Sequence, residues 1–303
     1  MNNPTLDVQD IVKAYNGRNV VDNVSFSVMQ GEIVALVGPN GSGKTTLVEC
    51  IINLRRADSG LVKLDGQVLD NHWTNSRFFG VQLQEAGLPS SIKAREAVHA
   101  VAITRGAEDE VDDVLDRLQI KTMSQTQFGK LSGGQKRRVQ IASAIVGKPP
   151  LIILDEPTSG IDVEGRGVIW RLLKEIARSG CGVLVTTHDL SEAEDYADRI
   201  VALVKGRVAL YGEVDEIIGK VGAWRMRVLN PDEAIRHYLS SSPHSLRSAP
   251  LGNGLVVVGE RDALEKTYSK VKELNPGCDA MVGPIRLEDL YAVVTNTDLK
   301  ELG

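Results

Sequence analysis

Apolar positions near the start of the chain fall into short runs. Val24, Phe26 and Val28 alternate with polar neighbours, the period of a half-buried strand, and residues 5 to 36 read as a series of short strands. Gly31 breaks that alternation. The segment from Glu32 to Val37 is mostly apolar, as a strand covered on both faces is. It leads into Gly38-Pro39-Asn40-Gly41-Ser42-Gly43-Lys44-Thr45, after which Thr46 to Leu54 has helical composition. From 85 to 130 the pattern is mainly helical. Glu96, Ala97, Val98, Ala100, Val101 and Ile103 are good helix formers, and Val111, Val114, Leu115 and Leu118 recur at three- and four-residue spacing. Two further apolar runs, Leu151 to Leu154 and Gly182 to Thr186, lie beside helical stretches at roughly 135–147 and 163–178. Strands alternating with helices predict a mainly parallel α/β sheet.

The pattern changes near residue 220. Ala223 to Leu229 alternates like a strand, and Pro231-Asp232-Glu233 looks like a helix start. Residues 240–254 are rich in Ser, Pro and Gly and read as a loop. A strand at 255–258, a helix at 262–274, a strand at 278–282 and a helix at 286–295 follow. The chain therefore divides into a large α/β unit, residues 1–219, and a small α+β unit, residues 220–303, of a size able to fold alone.

Composition narrows the classes. With 42% hydrophobic and 25% charged residues the chain is an ordinary globular protein. Its net charge of −5 excludes a chain-wide basic coat for nucleic acid, and 4% aromatic residues argue against base-stacking platforms. No apolar run approaches the ~20 residues of a spanning helix. Met1-Asn2-Asn3-Pro4 opens no secretory signal. Cys50, Cys181 and Cys278 stand singly, with no CxxC, which fits a reducing cytoplasm.

Two segments carry chemistry. Residues Gly38 to Thr45 match GxxxxGK[ST]. Glycines let the backbone curl so that its N–H groups face phosphate oxygens, and the following helix adds its N-terminal dipole. Lys44 can reach the β- and γ-phosphates, and the Thr45 hydroxyl can ligate Mg²⁺. Leu151-Ile152-Ile153-Leu154-Asp155-Glu156 is an apolar strand ending in two carboxylates. Asp155 would hold Mg²⁺, directly or through water, and Glu156 would polarise an attacking water. Together the segments indicate a nucleoside triphosphatase without saying which kind.

Leu131-Ser132-Gly133-Gly134-Gln135 resembles the signature motif of the ATP-binding cassette (ABC) ATPases. Other elements resembling that family's appear in order. Tyr15 is placed like the adenine-stacking aromatic, Gln84 like the Q-loop glutamine, Ser159-Gly160-Ile161-Asp162 like the D-loop and His188 like the switch histidine. Leu83 stands where a proline often precedes the glutamine, and Gln82 is a neighbouring alternative. The resemblance covers about residues 5 to 218. It implies a P-loop cassette with a mixed sheet core, an N-terminal antiparallel β subdomain and a helical signature subdomain at about 85–147. It further implies that Thr46 joins Gly38 to Thr45 at the nucleotide, and that Ser132, Gly133, Gly134 and Gln135 form a second phosphate nest. Glu156 would be the general base, His188 would contact the γ-phosphate, and Gln84 would sense Mg²⁺ and the attacking water. Asp162 would support the opposing subunit's loop. Two cassettes would pair head to tail, as a homodimer or with another paired cassette, each closing its signature over the other's ATP. Lys136-Arg137-Arg138, on the helix after the signature, is expected to be a solvated face rather than a nucleic-acid site.

In transporters of this family the region after the Q-loop docks on a membrane subunit, a part residues 85–130 would play. The segment from Pro284 to Thr295 resembles the tail of exporter ATPases whose membrane domain is a separate polypeptide. The implied function is an ATP-hydrolysing subunit on the cytoplasmic face of the membrane, driving an exporter through a separate permease. The alternative is an ABC ATPase without a transport role. Against two of its forms, one phosphate loop is present rather than two, and Lys44 and Leu131 lie only 87 positions apart, too close for a long inserted coiled coil.

Overall fold

A computed structural model describes residues 4–69, 79–84, 87–221, 224–241 and 246–296. The chain forms two compact units, Met1–Val208 and Ala209–Gly303.

The first unit opens with β1 (Leu6–Tyr15), β2 (Arg18–Val28) and β3 (Ile33–Val37), followed by α1 (Lys44–Ile51), β4 (Ser59–Leu64), β5 (Gln67–Val68) and β6 (Phe79–Gln82). Strands β2-β1-β4-β5 make an antiparallel sheet. Its β1–β2 hairpin turns on Asn16 (φ 49°) and Gly17 (φ 78°), the Asn-Gly pairing that a tight two-residue turn requires. Then come α2 (Ala94–Arg105), α3 (Val111–Arg117), α4 (Gly133–Ile145), β7 (Leu151–Asp155), α5 (Val163–Arg178), β8 (Gly182–Thr187), α6 (Leu190–Tyr196) and β9 (Arg199–Val204), and β10 (Arg207–Glu213) starts in this unit and runs past its end at Val208. The second sheet runs β10-β9-β3-β8-β7-β6, with the β3–β8, β3–β9, β6–β7 and β7–β8 pairs parallel. Strands β3, β7 and β8 are buried at every position, which explains why they read as apolar runs. The main core joins these strands to α2–α5, with Trp170 fully buried and stacked on Tyr196 at 5.0 Å.

The second unit contains α7 (Val214–Val221), β11 (Trp224–Leu229), α8 (Glu233–Ser240), β12 (Arg247–Leu251), β13 (Gly254–Gly259), α9 (Arg261–Leu274), β14 (Asp279–Pro284) and α10 (Leu287–Asn296). The order β12-β13-β11-β14, reached by β11-α8-β12-β13-α9-β14, is the ferredoxin-like βαββαβ arrangement. Met226 and Val228 of β11 pack under Ile235 and Leu239 of α8 and Leu264 and Val271 of α9. Alternate residues Arg225 and Arg227 face the other way and meet α10. Asp289, fully buried in the first turn of α10, pairs with both at 2.9 and 2.7 Å, and Glu288 pairs with Arg227 at 2.7 Å.

One expectation changes. The loop at 240–254 contains β12, an edge strand whose Pro250 is tolerated because an edge strand need not donate on both sides. Ala223 lies outside the described residues, and the strand there begins at Trp224. The boundary between the compact units, Val208/Ala209, falls inside β10, and α7 packs with α10.

Candidate functional site

The loop between β3 and α1 is shaped by its glycines. Gly38 has φ 156°, and a Cβ there would meet Leu203 O and Ser42 Oγ at 2.6 Å. Gly43 has φ 104°, and a Cβ would lie 2.5 Å from Val20 O. Neither position admits a side chain, so the backbone curls tightly and α1 starts at Lys44. Lys44, 5% exposed, donates from Nζ to Gly38 O at 2.7 Å and Pro39 O at 3.2 Å. Burial pulls its pKa below the ordinary lysine value, and the Glu156 and Asp155 carboxylates oppose that pull. Ser42 Oγ is buried with no hydrogen-bond partner. A curled backbone, a held ammonium and an orphaned hydroxyl are the donor set a phosphate chain needs.

Strand β7 delivers the two carboxylates. Asp155 is fully buried; its Oδ2 accepts from Thr45 Oγ1 at 3.2 Å and its Oδ1 accepts from Thr186 Oγ1. The same Thr186 hydroxyl accepts the Glu156 N–H at 3.0 Å, and Thr186 O accepts it at 3.1 Å. These bonds hold Glu156 at φ 50°, a left-handed conformation that costs a non-glycine residue about 1–3 kcal/mol. His188, just past β8, places Nδ1 3.1 Å from Glu156 Oε1.

A cavity of about 290 Å³ opens over these groups, lined by Val20, Asn40, Gly41, Gly43, Lys44, Thr45, Thr46, Gln84 and Glu156. Gln84 is exposed to it. Gln82, by contrast, is 1% exposed and donates from Nε2 to Asp155 O at 3.1 Å. Thr45 and Asp155 offer one hydroxyl and one carboxylate, with Gln84 on the rim. That sparse oxygen set fits Mg²⁺, which keeps waters and substrate phosphates as its other ligands.

The other expected site residues lie outside this lining. Ser132 is the N-cap of α4: its Oγ accepts from Gln135 N at 3.3 Å, and Gln135 Oε1 accepts from Ser132 N at 2.9 Å. Gly133 and Gly134 are the first two residues of that helix, a backbone-donor end without side chains in the way. Asp162 caps α5 by accepting from Gly165 N at 2.7 Å. Tyr15 ends β1, 38% exposed, with Lys13 Nζ 5.7 Å and the Arg55 guanidinium 5.4 Å from its ring centre.

Several neighbours were not singled out in the sequence. Thr186 carries both carboxylate residues; its position in register with Asp155 on the adjacent strand is a topological fact. Thr158 Oγ1 donates to Glu192 Oε2 at 2.7 Å, and Arg166 Nη1 lies 3.5 Å from both Glu192 and Asp189, bracing the loops after β7 and β8. The basic run after the signature is not a solvated face. Arg138 donates to Leu118 O at 3.4 Å, Lys136 Nζ lies 5.8 Å from the Phe128 ring centre, and Arg137 Nη1 is buried. Helix α4 packs against α2, α3, β6 and β7, so this run is half-buried rather than solvated.

The ABC transporter family model matches residues 21–159, from β2 to Ser159. Nod factor export ATP-binding protein I of Burkholderia thailandensis is 30% identical over 304 residues, covering 98% of this chain and 98% of its own length. The solved ATP-binding subunit of an ABC transporter is 32% identical, with a TM-score of 0.67 over 71% of this chain and 92% of that one. A dimeric bacterial ABC transporter cassette is 27% identical, with a TM-score of 0.62 over 69% of this chain and 98% of its own. A P-loop cassette with these matches defines a class, and the chain belongs to the ABC transporter family. It is an ATP-binding subunit of an ABC transporter, an ATPase related over its full length to Nod factor export ATP-binding protein I. No described helix is long and apolar enough to cross a membrane.

Proposed function

We propose that this chain hydrolyses MgATP to drive an exporter from the cytoplasmic face of the membrane, working as a head-to-tail pair of cassettes. The observation that carries the reading is the cavity that gathers Lys44, Thr45, Gln84 and Glu156, while the signature lies outside its lining. One chain then holds two half-sites, and a second copy completes each. The dimeric state of the related bacterial cassette supports this arrangement.

Within a closed site the loop amides, Ser42 Oγ and Lys44 Nζ bind and orient the phosphates. Thr45 Oγ1 and Asp155 would hold Mg²⁺, with Gln84 at the edge of that site, and the ion would supply charge neutralisation to the phosphates. Glu156 accepts the proton of the attacking water at its carboxylate. His188 Nδ1–H keeps that carboxylate oriented, leaving Nε2 to face the γ-phosphate. Ser132 Oγ and the amides of Gly133 and Gly134 bind the γ-phosphate held by the partner's loop, with Gln135 fixing Ser132 and Asp162 supporting the partner's loop. Tyr15 stacks on the adenine.

The permease seats on the apolar cavity of about 350 Å³ lined by Phe79, Val81, Leu88 and Val101, beside Gln82 at the end of β6 and two residues before Gln84. Export, rather than import, is supported by the full-length relative's role in Nod factor export and by the segment Pro284–Thr295. The test is Glu156→Gln. It should bind ATP, lose nearly all hydrolysis and accumulate as an ATP-dependent dimer in light scattering. Hydrolysis at the parental rate would overturn the general-base role. A monomer at saturating ATP would overturn the paired site.

A further inference from the structure

Among the described residues four buried side-chain polar atoms lack a hydrogen-bond partner: Ser42 Oγ, Gln82 Oε1, Arg137 Nη1 and Trp170 Nε1. Ser42 belongs to the phosphate loop, and Trp170 is held by its stack on Tyr196. The remaining two are complementary, one acceptor and one donor, and both lie on elements that converge on Asp155.

Gln82 ends β6 in register with Leu154. Its Nε2 is committed to Asp155 O and Leu83 O, which fixes the amide and leaves Oε1 as the unsatisfied atom. Arg137 rides on α4, which packs against both β6 and β7. Gln140, one turn further along the same helix face, shares a cavity with Gln82. The fields of Asp155 and Glu156 both reach the Arg137 guanidinium, while burial works against its charge. A buried donor left unpaired is costly and calls for an explanation.

We infer that Arg137 and Gln82 pair, directly or through one water, when the nucleotide site closes, and that the pair positions the Asp155–Glu156 strand end from the signature helix. Arg137 and Ser132 belong to one 13-residue helix and its cap, so engagement of the signature with the partner's ATP moves both. Each chain thereby senses at its own carboxylates what its signature holds. Arg137 and Gln82 are positioning residues, and the inference rests on the proposed reading of the site.

The experiment is steady-state ATP hydrolysis by the full-length chain carrying Arg137→Met, Arg137→Lys, Gln82→Leu and the Arg137→Met/Gln82→Leu pair. A misplaced carboxylate predicts a kcat loss of about tenfold in Arg137→Met and in Gln82→Leu. KM for ATP should stay within about twofold, because ground-state binding is untouched. Arg137→Lys, which keeps a donor, should recover most of the rate, and the double variant should be no slower than the slower single. Multiplying losses in the double variant, no rescue by lysine, or a KM rise at unchanged kcat would each overturn the pair. Thermal melts at saturating ATP, with each variant in the Glu156→Gln background that holds the site closed, give a second readout: the double variant should melt no lower than the less stable single, since it removes both halves of one contact. Additive destabilisation counts against the inference. Glu156→Gln separates the layers. If it hydrolyses normally, the site reading fails. If it is inert while Arg137→Met matches the parent, this inference alone fails.

Discussion

Lys44 shows how one side chain is made ready by its surroundings. Its Nζ rests on Gly38 O and Pro39 O, so the ammonium is held over the loop while Glu156 and Asp155 keep it charged against the pull of burial. Removing it in Lys44→Ala takes away charge-assisted hydrogen bonds, and nucleotide affinity should fall about 10- to 100-fold, read by titration with a fluorescent nucleotide. Unchanged affinity would contradict the phosphate-loop assignment. Thr186 is the counterpart that sequence reading passed over. One hydroxyl donates to Asp155 Oδ1 and accepts the Glu156 amide, which stays in its left-handed conformation. Thr186→Val preserves shape and removes that oxygen. We expect the Mg²⁺ concentration for half-maximal turnover to rise about tenfold or more, as supports of metal-holding side chains commonly produce. Turnover and Mg²⁺ dependence matching the parent would reduce Thr186 to a packing residue.

At the scale of elements, contacts between segments decide what a pattern becomes. Arg105, the last residue of α2, sends Nη1 to Ala144 O at 3.0 Å and Val146 O at 2.5 Å, and Nη2 to Phe79 O at 3.2 Å. One guanidinium thus caps the end of α4 and ties it to β6. Arg105→Met keeps the stem but removes these charge-assisted hydrogen bonds, and should cost about 2–3 kcal/mol of stability in urea unfolding. In the second unit Asp289 clamps Arg225 and Arg227 of β11 from α10. Asp289→Asn should lower the stability of that unit by about 2–4 kcal/mol, below the cost of a fully buried pair because the arginines keep an edge in water. Strands β3, β7 and β8 were legible because burial on both faces writes a continuous apolar run, and α5 matched its expected span because its apolar stripe is clean. The phosphate loop, Asp155 and Glu156 were legible because their chemistry is contiguous in sequence. Strand β12 was not, since Arg247, Ser248 and Pro250 are loop-like residues that an edge position tolerates. Nor was the burial of Arg137, because which side of α4 meets solvent depends on where β6 and β7 dock, and pattern alone does not carry that.

For the whole molecule, the question is what the second unit adds to the proposed pair of cassettes. The second unit has its own four-stranded sheet and its own core of Met226, Val228, Ile235, Leu264 and Val271. The phosphate loop, both carboxylates, the signature and His188 all lie in Met1–Val208. Binding chemistry and the appended unit are therefore separable by a cut after Glu213, which spares β10 and the sheet it closes. A chain of residues 1–213 should fold and bind ATP within about threefold of the parent, as an autonomous domain with its site intact does. The appended unit then has two roles to lose. In the Glu156→Gln background, light scattering should show the ATP-dependent dimer forming at higher protein concentration in the shortened chain. Reconstituted with its permease, the shortened chain should hydrolyse ATP with less transport per turnover. Loss of ATP binding on truncation would mean the second unit supports the cassette fold itself. Unchanged dimerisation, turnover and transport would remove it from the engine altogether. A dimer that weakens while nucleotide affinity holds would assign residues 214–303 to keeping the two half-sites together.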